Sequence, residues 1–329
     1  MPRTASMTAR ERILAALQRQ PVDRIPFVPL IDWYTLRDMP PEVPQDIMEA
    51  SRVLGCDLMV RHVPVTQVDY AGFHLQDVGR FAPPITATSQ LNGTELIETL
   101  TTPIGTLTGV WGFNTAAAWI PHAVRRVVNN REEMEIFHYA VEHLSAEPPI
   151  LDHDAFRRVD AAIGPDGIAT ASLSNSPLMY LIELVWGLET TYYLLNDYPA
   201  AVEDILARLH ESLKRQAEVL AASPAEVIIG YENTSSTLLS PEVFRRYCLP
   251  CLNDYAEIIR GAGKVFLIHM CGKLHAFLPD IARGRFNGIA DIAPAPTGDL
   301  PLDEAAAALP GQVVVGGIDA TTFINPDAR

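Results

Sequence analysis

Lys264-Val-Phe-Leu-Ile-His-Met-Cys-Gly272 is the stretch that decides the fold. Lys264 leads into Val265–Ile268, a short apolar run with β-branched and aromatic residues, the composition of a strand buried on both faces. Side chains alternate along a strand, so His269 and Cys271 point the same way. An imidazole and a thiol then converge at the strand's carboxyl end, where open α/β sheets and α/β barrels hold their active sites. Gly272 lets the backbone turn sharply beyond them. Imidazole and thiolate are ligands that zinc prefers, which makes His269 and Cys271 a candidate metal pair. The competing explanation is a buried His and a buried Cys that merely lie two apart, and the rest of the chain has to decide.

Outward from this strand, further strands alternate with helices. Ile25–Ile31, Cys56–Val60, Ile168–Leu173, Val227–Gly230, Gly288–Ile292 and Gln312–Ile318 complete a set of seven. Pro26 and Pro29 argue for irregular pairing in the first of them. Thr8 and Glu11 form a capping box for a helix Ala9–Gln18, and Asp46–Leu54 is a helix ending at Gly55. Helices are also expected over Val127–His143, Asp152–Ile163, Leu178–Leu195 and Pro199–Leu220, and after the N-cap Ser240-Pro241. Residues 63–124 differ in texture. Glu95–Thr102 and Thr106–Val110 alternate about the turn Thr102-Pro-Ile-Gly105, which is hairpin grammar, and the segment reads as an insertion or lid. The alternation of strands and helices points to one parallel α/β domain over residues 1–329. No Gly-rich phosphate loop follows any strand, which weakens the doubly wound alternative. A (β/α)8 TIM barrel with this N-terminal hairpin insertion fits, with seven strands counted where a barrel needs eight.

Composition narrows the function. The formal net charge of −15 over 329 residues disfavours a nucleic-acid partner. No apolar run approaches a bilayer span and Met1–Arg12 has no secretory apolar core, so no membrane association is expected. Four irregularly spaced cysteines make no disulfide framework, and a cytoplasmic protein is expected. Cys248-x-x-Cys251 has knuckle spacing but falls in a helix with no second pair, so it reads as two buried thiols. His62, His74, His122 and His275 share no spacing, and Trp33, Tyr34, Tyr70, Trp111 and Trp119 suit a core as well as an aromatic wall.

Five segments, in order, resemble the uroporphyrinogen decarboxylase superfamily, and within it the cobalamin-dependent methyltransferase branch. They are Thr8–Leu17 with Pro21-Val-Asp-Arg-Ile-Pro26, Thr102-Pro-Ile-Gly-Thr-Leu107, Leu239-Ser-Pro-Glu-Val-Phe-Arg-Arg-Tyr247 with Pro250, His269-Met-Cys-Gly272, and Val315-Gly-Gly-Ile-Asp319. The resemblance implies a barrel enzyme that holds Zn2+ through His269 and Cys271. It implies methyl transfer between a corrinoid presented by a partner protein and a thiol-type small molecule. A tetrapyrrole decarboxylase is the rival. It would carry an arginine-rich segment after the first strand, where this chain has Leu30-Ile-Asp-Trp-Tyr-Thr-Leu36. The branch implies a third thiolate at the eighth strand. No cysteine follows Cys271, so the chain is expected to be either a truncated or inactive barrel, or one with another ligand. Glu232 and Asp291 close the neighbouring strands and are the candidates to assist the metal, with Asp319 behind them.

Overall fold

A computed structural model describes residues 6–31, 36–37, 39–66, 73–114, 120–147 and 151–319. Its strands in chain order are β1 (Leu58–Val60), β2 (Thr86–Asn92), β3 (Glu95–Thr102), β4 (Gly105–Asn114), β5 (Ile120–Arg125), β6 (Gly167–Leu173), β7 (Val227–Tyr231), β8 (Val265–His269), β9 (Gly288–Ile292) and β10 (Val313–Gly316). Six of them form one parallel half-barrel sheet in the order β1-β6-β7-β8-β9-β10. The other four form an antiparallel sheet, β2-β3-β4-β5. The hairpin expected about Thr102–Gly105 is the centre of that second sheet, with Thr102 paired to Gly105 and Leu100 to Leu107.

The parallel sheet has a hydrophobic core on each side. Ile228, Phe266 and Ile268 point outward against helices such as Pro199–Ala222 and Leu249–Gly261, with Leu209, Leu213, Tyr255 and Ile259. Val227, Ile229, Val265 and Leu267 point inward. Helix α1 (Ala9–Leu17) lies across the strands' amino-terminal half on that inner side, burying Ile13 and Leu17 there. Each such side chain contributes about 1.5–3 kcal/mol by leaving water. The capping box starts α1 as expected, with the Thr8 hydroxyl accepting from Glu11 N–H. Arg12 then pins α1 to β1 through Asp57 at 2.5 Å, both side chains being almost wholly buried.

Two expectations are corrected. Ile25–Ile31 forms no strand, so the parallel sheet has six strands among the described residues, not seven. Its prolines remove ladder donors, and both backbone polar groups of Phe27 are taken by Asp57. The Asp57 carboxylate accepts from Phe27 N–H at 2.8 Å, and Phe27 C=O accepts from Asp57 N–H at 2.8 Å. The helix expected over Leu178–Leu195 is interrupted. A π-helical turn spans Leu181–Val185, Trp186 and Gly187 N–H both point at Leu181 C=O, and Gly187 takes φ +81° before helix Leu188–Asp197. The sheet's two edges, β1 and β10, are not joined among the described residues. Trp33, Tyr34, Tyr70 and Trp119 lie outside the described residues. No described helix is long and apolar enough to cross a membrane.

Candidate active site at the carboxyl ends of the strands

β7 and β8 pair in parallel with Tyr231 opposite His269. In-register neighbours share a face, so Tyr231 and His269 both end the inner face that Ile229 and Leu267 begin. Their rings stack at 5.1 Å between centroids, and His62 stacks on the other side of Tyr231 at 4.4 Å. The His62 Nδ1 in turn meets the Ser172 hydroxyl at the end of β6, at 3.1 Å.

His269 Nδ1 lies 2.6 Å from Asp291 Oδ2. Strict alternation along β9 would turn Asp291 outward with Ile289. Its φ of +66° swings the carboxylate inward instead. Arg61, just past β1, grips that carboxylate with two hydrogen bonds of 2.7 and 2.8 Å. His62 and Asn233 are also left-handed, so among the described residues three of the four non-glycine residues with positive φ stand at this site. Such strain costs of order 1–3 kcal/mol per residue and concentrates at functional sites.

Cys271 lies beside the His269 imidazole, and its thiol donates to Asn233 Oδ1 at 3.4 Å. Asn233 Nδ2 donates to Glu183 Oε2 at 2.9 Å, and Asn175 Nδ2 reaches the same oxygen at 2.7 Å. Glu183 rides on the π-helical turn, which is what aims it at the strand ends.

The electrostatics follow from these contacts. Burial works against charging His269, but Asp291 and Cys271 outweigh it and push the imidazole up to about 9. Burial likewise opposes ionisation of Asp291, yet His269 and Arg61 hold it well below the ordinary carboxylate range. Burial raises Glu183, against the pull of its two amide donors. His62 is lowered by burial and by the charges of Arg61 and His269.

Glu232 stands elsewhere. It follows Tyr231, so alternation turns it to the outer face, where it is fully buried. Its carboxylate accepts from Ser176 N–H at 2.8 Å and from the Ser176 hydroxyl at 2.7 Å, beside the Cys248 thiol. Burial pushes it up to about 8. Above the ordinary glutamate range the unfolded chain gives up this proton while the folded chain keeps it. Folding stability therefore falls as pH rises from there to about 8. Glu232→Gln, which mimics the protonated acid, should flatten that slope. Urea midpoints at about pH 5 and about pH 8 check it, and parallel profiles for the two proteins would show the buried group to be ionised throughout.

Whether zinc fits is a question of donors. With His269 Nδ1 held by Asp291, Nε2 is the nitrogen open to a metal, next to the Cys271 thiol. A carboxylate behind a ligating histidine is the usual support in zinc sites. The pair therefore fits as two of the three protein ligands of a catalytic zinc. Among the described residues no third Cys, His, Asp or Glu joins them in a set with all donor atoms within 4.8 Å. One such set exists, His138, Glu142 and Asp204 on two outer helices, where Arg208 already bridges the two acids. Asp319 is engaged by Thr297.

Arg61, Tyr231, Asn233 and Glu183 went unread in the sequence. Arg61 and Asn233 had a signal, since each directly follows a strand or its last acid; Glu183 had none, lying inside an apolar helical run.

A family model described as uroporphyrinogen decarboxylase (URO-D) matches residues 120–328. The methylcobamide:CoM methyltransferase MtaA of Methanosarcina barkeri is 24% identical over 151 residues, covering 44% of this chain. The match spans only 40% of that relative's length. A methyltransferase from Methanosarcina mazei has a similar fold, with a TM-score of 0.52 over 95% of this chain and 93% of that one, at 17% identity.

Proposed function

The chain belongs to the uroporphyrinogen decarboxylase family, and on that premise we propose that it is a zinc-dependent methyltransferase passing a methyl group between a corrinoid protein and a thiol-type acceptor. The observation that carries this reading is the Asp291–His269–Cys271 constellation, with 2.6 Å between carboxylate and imidazole and the thiol on the same face. The likeness to a methylcobamide:CoM methyltransferase supports it. His269 Nε2 and Cys271 Sγ would hold the metal. Bound there, zinc would supply a Lewis acid that keeps the acceptor's sulfur as thiolate at neutral pH.

The protein's own residues have defined tasks in this reading. Asp291 fixes the imidazole's orientation and keeps Nδ1 protonated, so that Nε2 is the free donor. Arg61 fixes Asp291. Asn233 holds the Cys271 side chain, and Glu183 with Asn175 holds Asn233. Tyr231 and the apolar rows beneath it keep water from the inner face below the site. Glu232 lies outside this machinery, in the core behind the sheet. The decarboxylase reading asks for a cluster of uncommitted cations, and Arg61 is committed to Asp291.

Metal binding has to displace a proton that His269 keeps up to about pH 9. Zinc affinity should therefore climb by at least about tenfold per pH unit from the ordinary imidazole range towards 9. Competition with a chromogenic chelator at several pH values measures this; a flat profile would remove His269 from the ligand set.

A further inference from the structure

A cavity of about 400 Å³ opens at the amino-terminal ends of the strands, the end away from His269 and Cys271. Leu17 and Arg19 border it at the end of α1, and Arg260 at the end of helix Leu249–Gly261. Phe286, Gly311 and Gln312 border it just ahead of β9 and β10. No residue lining it is an acid, although the chain carries 40 acids against 25 lysines and arginines. Among the described residues no acid forms an ion pair with Arg19 or Arg260. Each gives a hydrogen bond to a backbone carbonyl instead, Arg19 Nη2 to Pro310 at 2.6 Å and Arg260 Nη1 to Arg285. Glu257, one helical turn before Arg260, is taken by Arg285.

Arg19 stands where glycine is the usual residue. α1 ends in a Schellman motif, in which Gln20 N–H donates to Ala15 C=O at 2.8 Å and Arg19 N–H to Ala16 C=O at 2.9 Å. Arg19 takes φ +60° there, and is the one left-handed non-glycine residue described that lies away from the strands' carboxyl ends. An arginine is strained in that conformation and a glycine is not, so what the position keeps is the side chain. The tie to Pro310 uses one donor of a planar fork whose others suit phosphate or carboxylate oxygens, and the same holds for Arg260. Helix ends present carbonyls, which alone would repel an anion. Here Gln312 Nε2 covers two of them, donating to Ile281 C=O and Gly284 C=O at 3.0 Å each. Leu17 and Phe286 add an apolar floor, being 4% and 2% exposed. The volume falls in the range of small-molecule sites.

We infer that this cavity is a second binding site, for a small phosphorylated molecule whose phosphate is held by Arg19 and Arg260 and whose organic part lies on Leu17 and Phe286. It is independent of the proposed methyl transfer. Once occupied, it ties the end of α1 to the turn that precedes β10.

The test is calorimetric titration of the full chain with phenyl phosphate and with inorganic phosphate. Phenyl phosphate should bind about tenfold or more tighter, because only it reaches the apolar floor. Arg19→Gln and Arg260→Gln should each weaken it by about tenfold or more. Gly311→Asp keeps both arginines and their backbone ties. A Cβ at Gly311 meets no atom within 4 Å and the backbone there is not left-handed, so the change adds an acid to the lining without crowding it. It should abolish binding, and with Arg260→Gln it decides the matter if Arg19→Gln does not fold. Zinc loading should leave every value unchanged. The inference is overturned if neither probe binds, if the two bind alike, or if a folded variant binds phenyl phosphate as tightly as the wild type. Binding seen only with zinc would place the probe at His269 and Cys271 and overturns it as well.

Discussion

Replacing His269 by alanine should empty the protein of zinc. A zinc site at neutral pH is worth about 10–16 kcal/mol shared among its ligands, so losing one ligand should cost on the order of 3–5 kcal/mol, a factor of about 10^2 to 10^4 in affinity. The wild type, dialysed against a mild chelator, should keep about one zinc per chain by elemental analysis. His269→Ala and Cys271→Ser should keep none. Methyl transfer from a methylated corrinoid to a thiol should vanish with the metal. The fold should survive, since Asp291 stays paired with Arg61 when the imidazole is gone. A wild-type protein that holds no zinc after growth and assay in zinc-supplemented medium would sink the proposed function.

The second large effect is expected at Asp291. Asparagine is the right probe, because it tolerates the left-handed backbone that this position needs, while alanine would add strain. Asp291→Asn removes the carboxylate that grips the buried Arg61, and breaking a buried pair from one side costs about 3–5 kcal/mol. It also removes the support behind His269, which should weaken zinc by about 10- to 100-fold. The two losses separate in a double variant. Asp291→Asn with Arg61→Met should recover most of the stability, because no lone charge is left, while zinc affinity stays low. If the double variant regained zinc affinity as well, Asp291 would matter only through Arg61, and the positioning role argued for it would be wrong. Thermal unfolding and chelator competition on the same samples give both readouts.

The sequence carried the local part of this site and not the long-range part. The apolar run Val265–Ile268 and the alternation beyond it put His269 and Cys271 on one face, and the structure has them in contact. Thr8 with Glu11, Asp46 with Gly55, and the Thr102–Gly105 turn are short-range signals, and each formed as expected. Register between parallel strands lies outside any single stretch of sequence. Tyr231 sits opposite His269, which turns Glu232 to the other side of the sheet. Asp291 reaches the inner face only through a left-handed residue that alternation cannot foresee. Arg61 meets it across 230 positions of chain. The segment Ile25–Ile31 misled because its apolar residues suit a strand, while its prolines and the grip of Asp57 make it an irregular strap, with Ile25 left 84% exposed.

Helix α1 has a kinetic consequence. By filling the amino-terminal half of the inner face it closes that end of the space, so the direct approach to His269 and Cys271 is at the carboxyl ends of the strands. In the proposed reaction a bulky protein donor and a small acceptor would then share one doorway. Whichever docks first bars the second, unless the smaller is already seated. Steady-state turnover should accordingly follow a compulsory order, acceptor before donor, with inhibition when the donor protein is in excess.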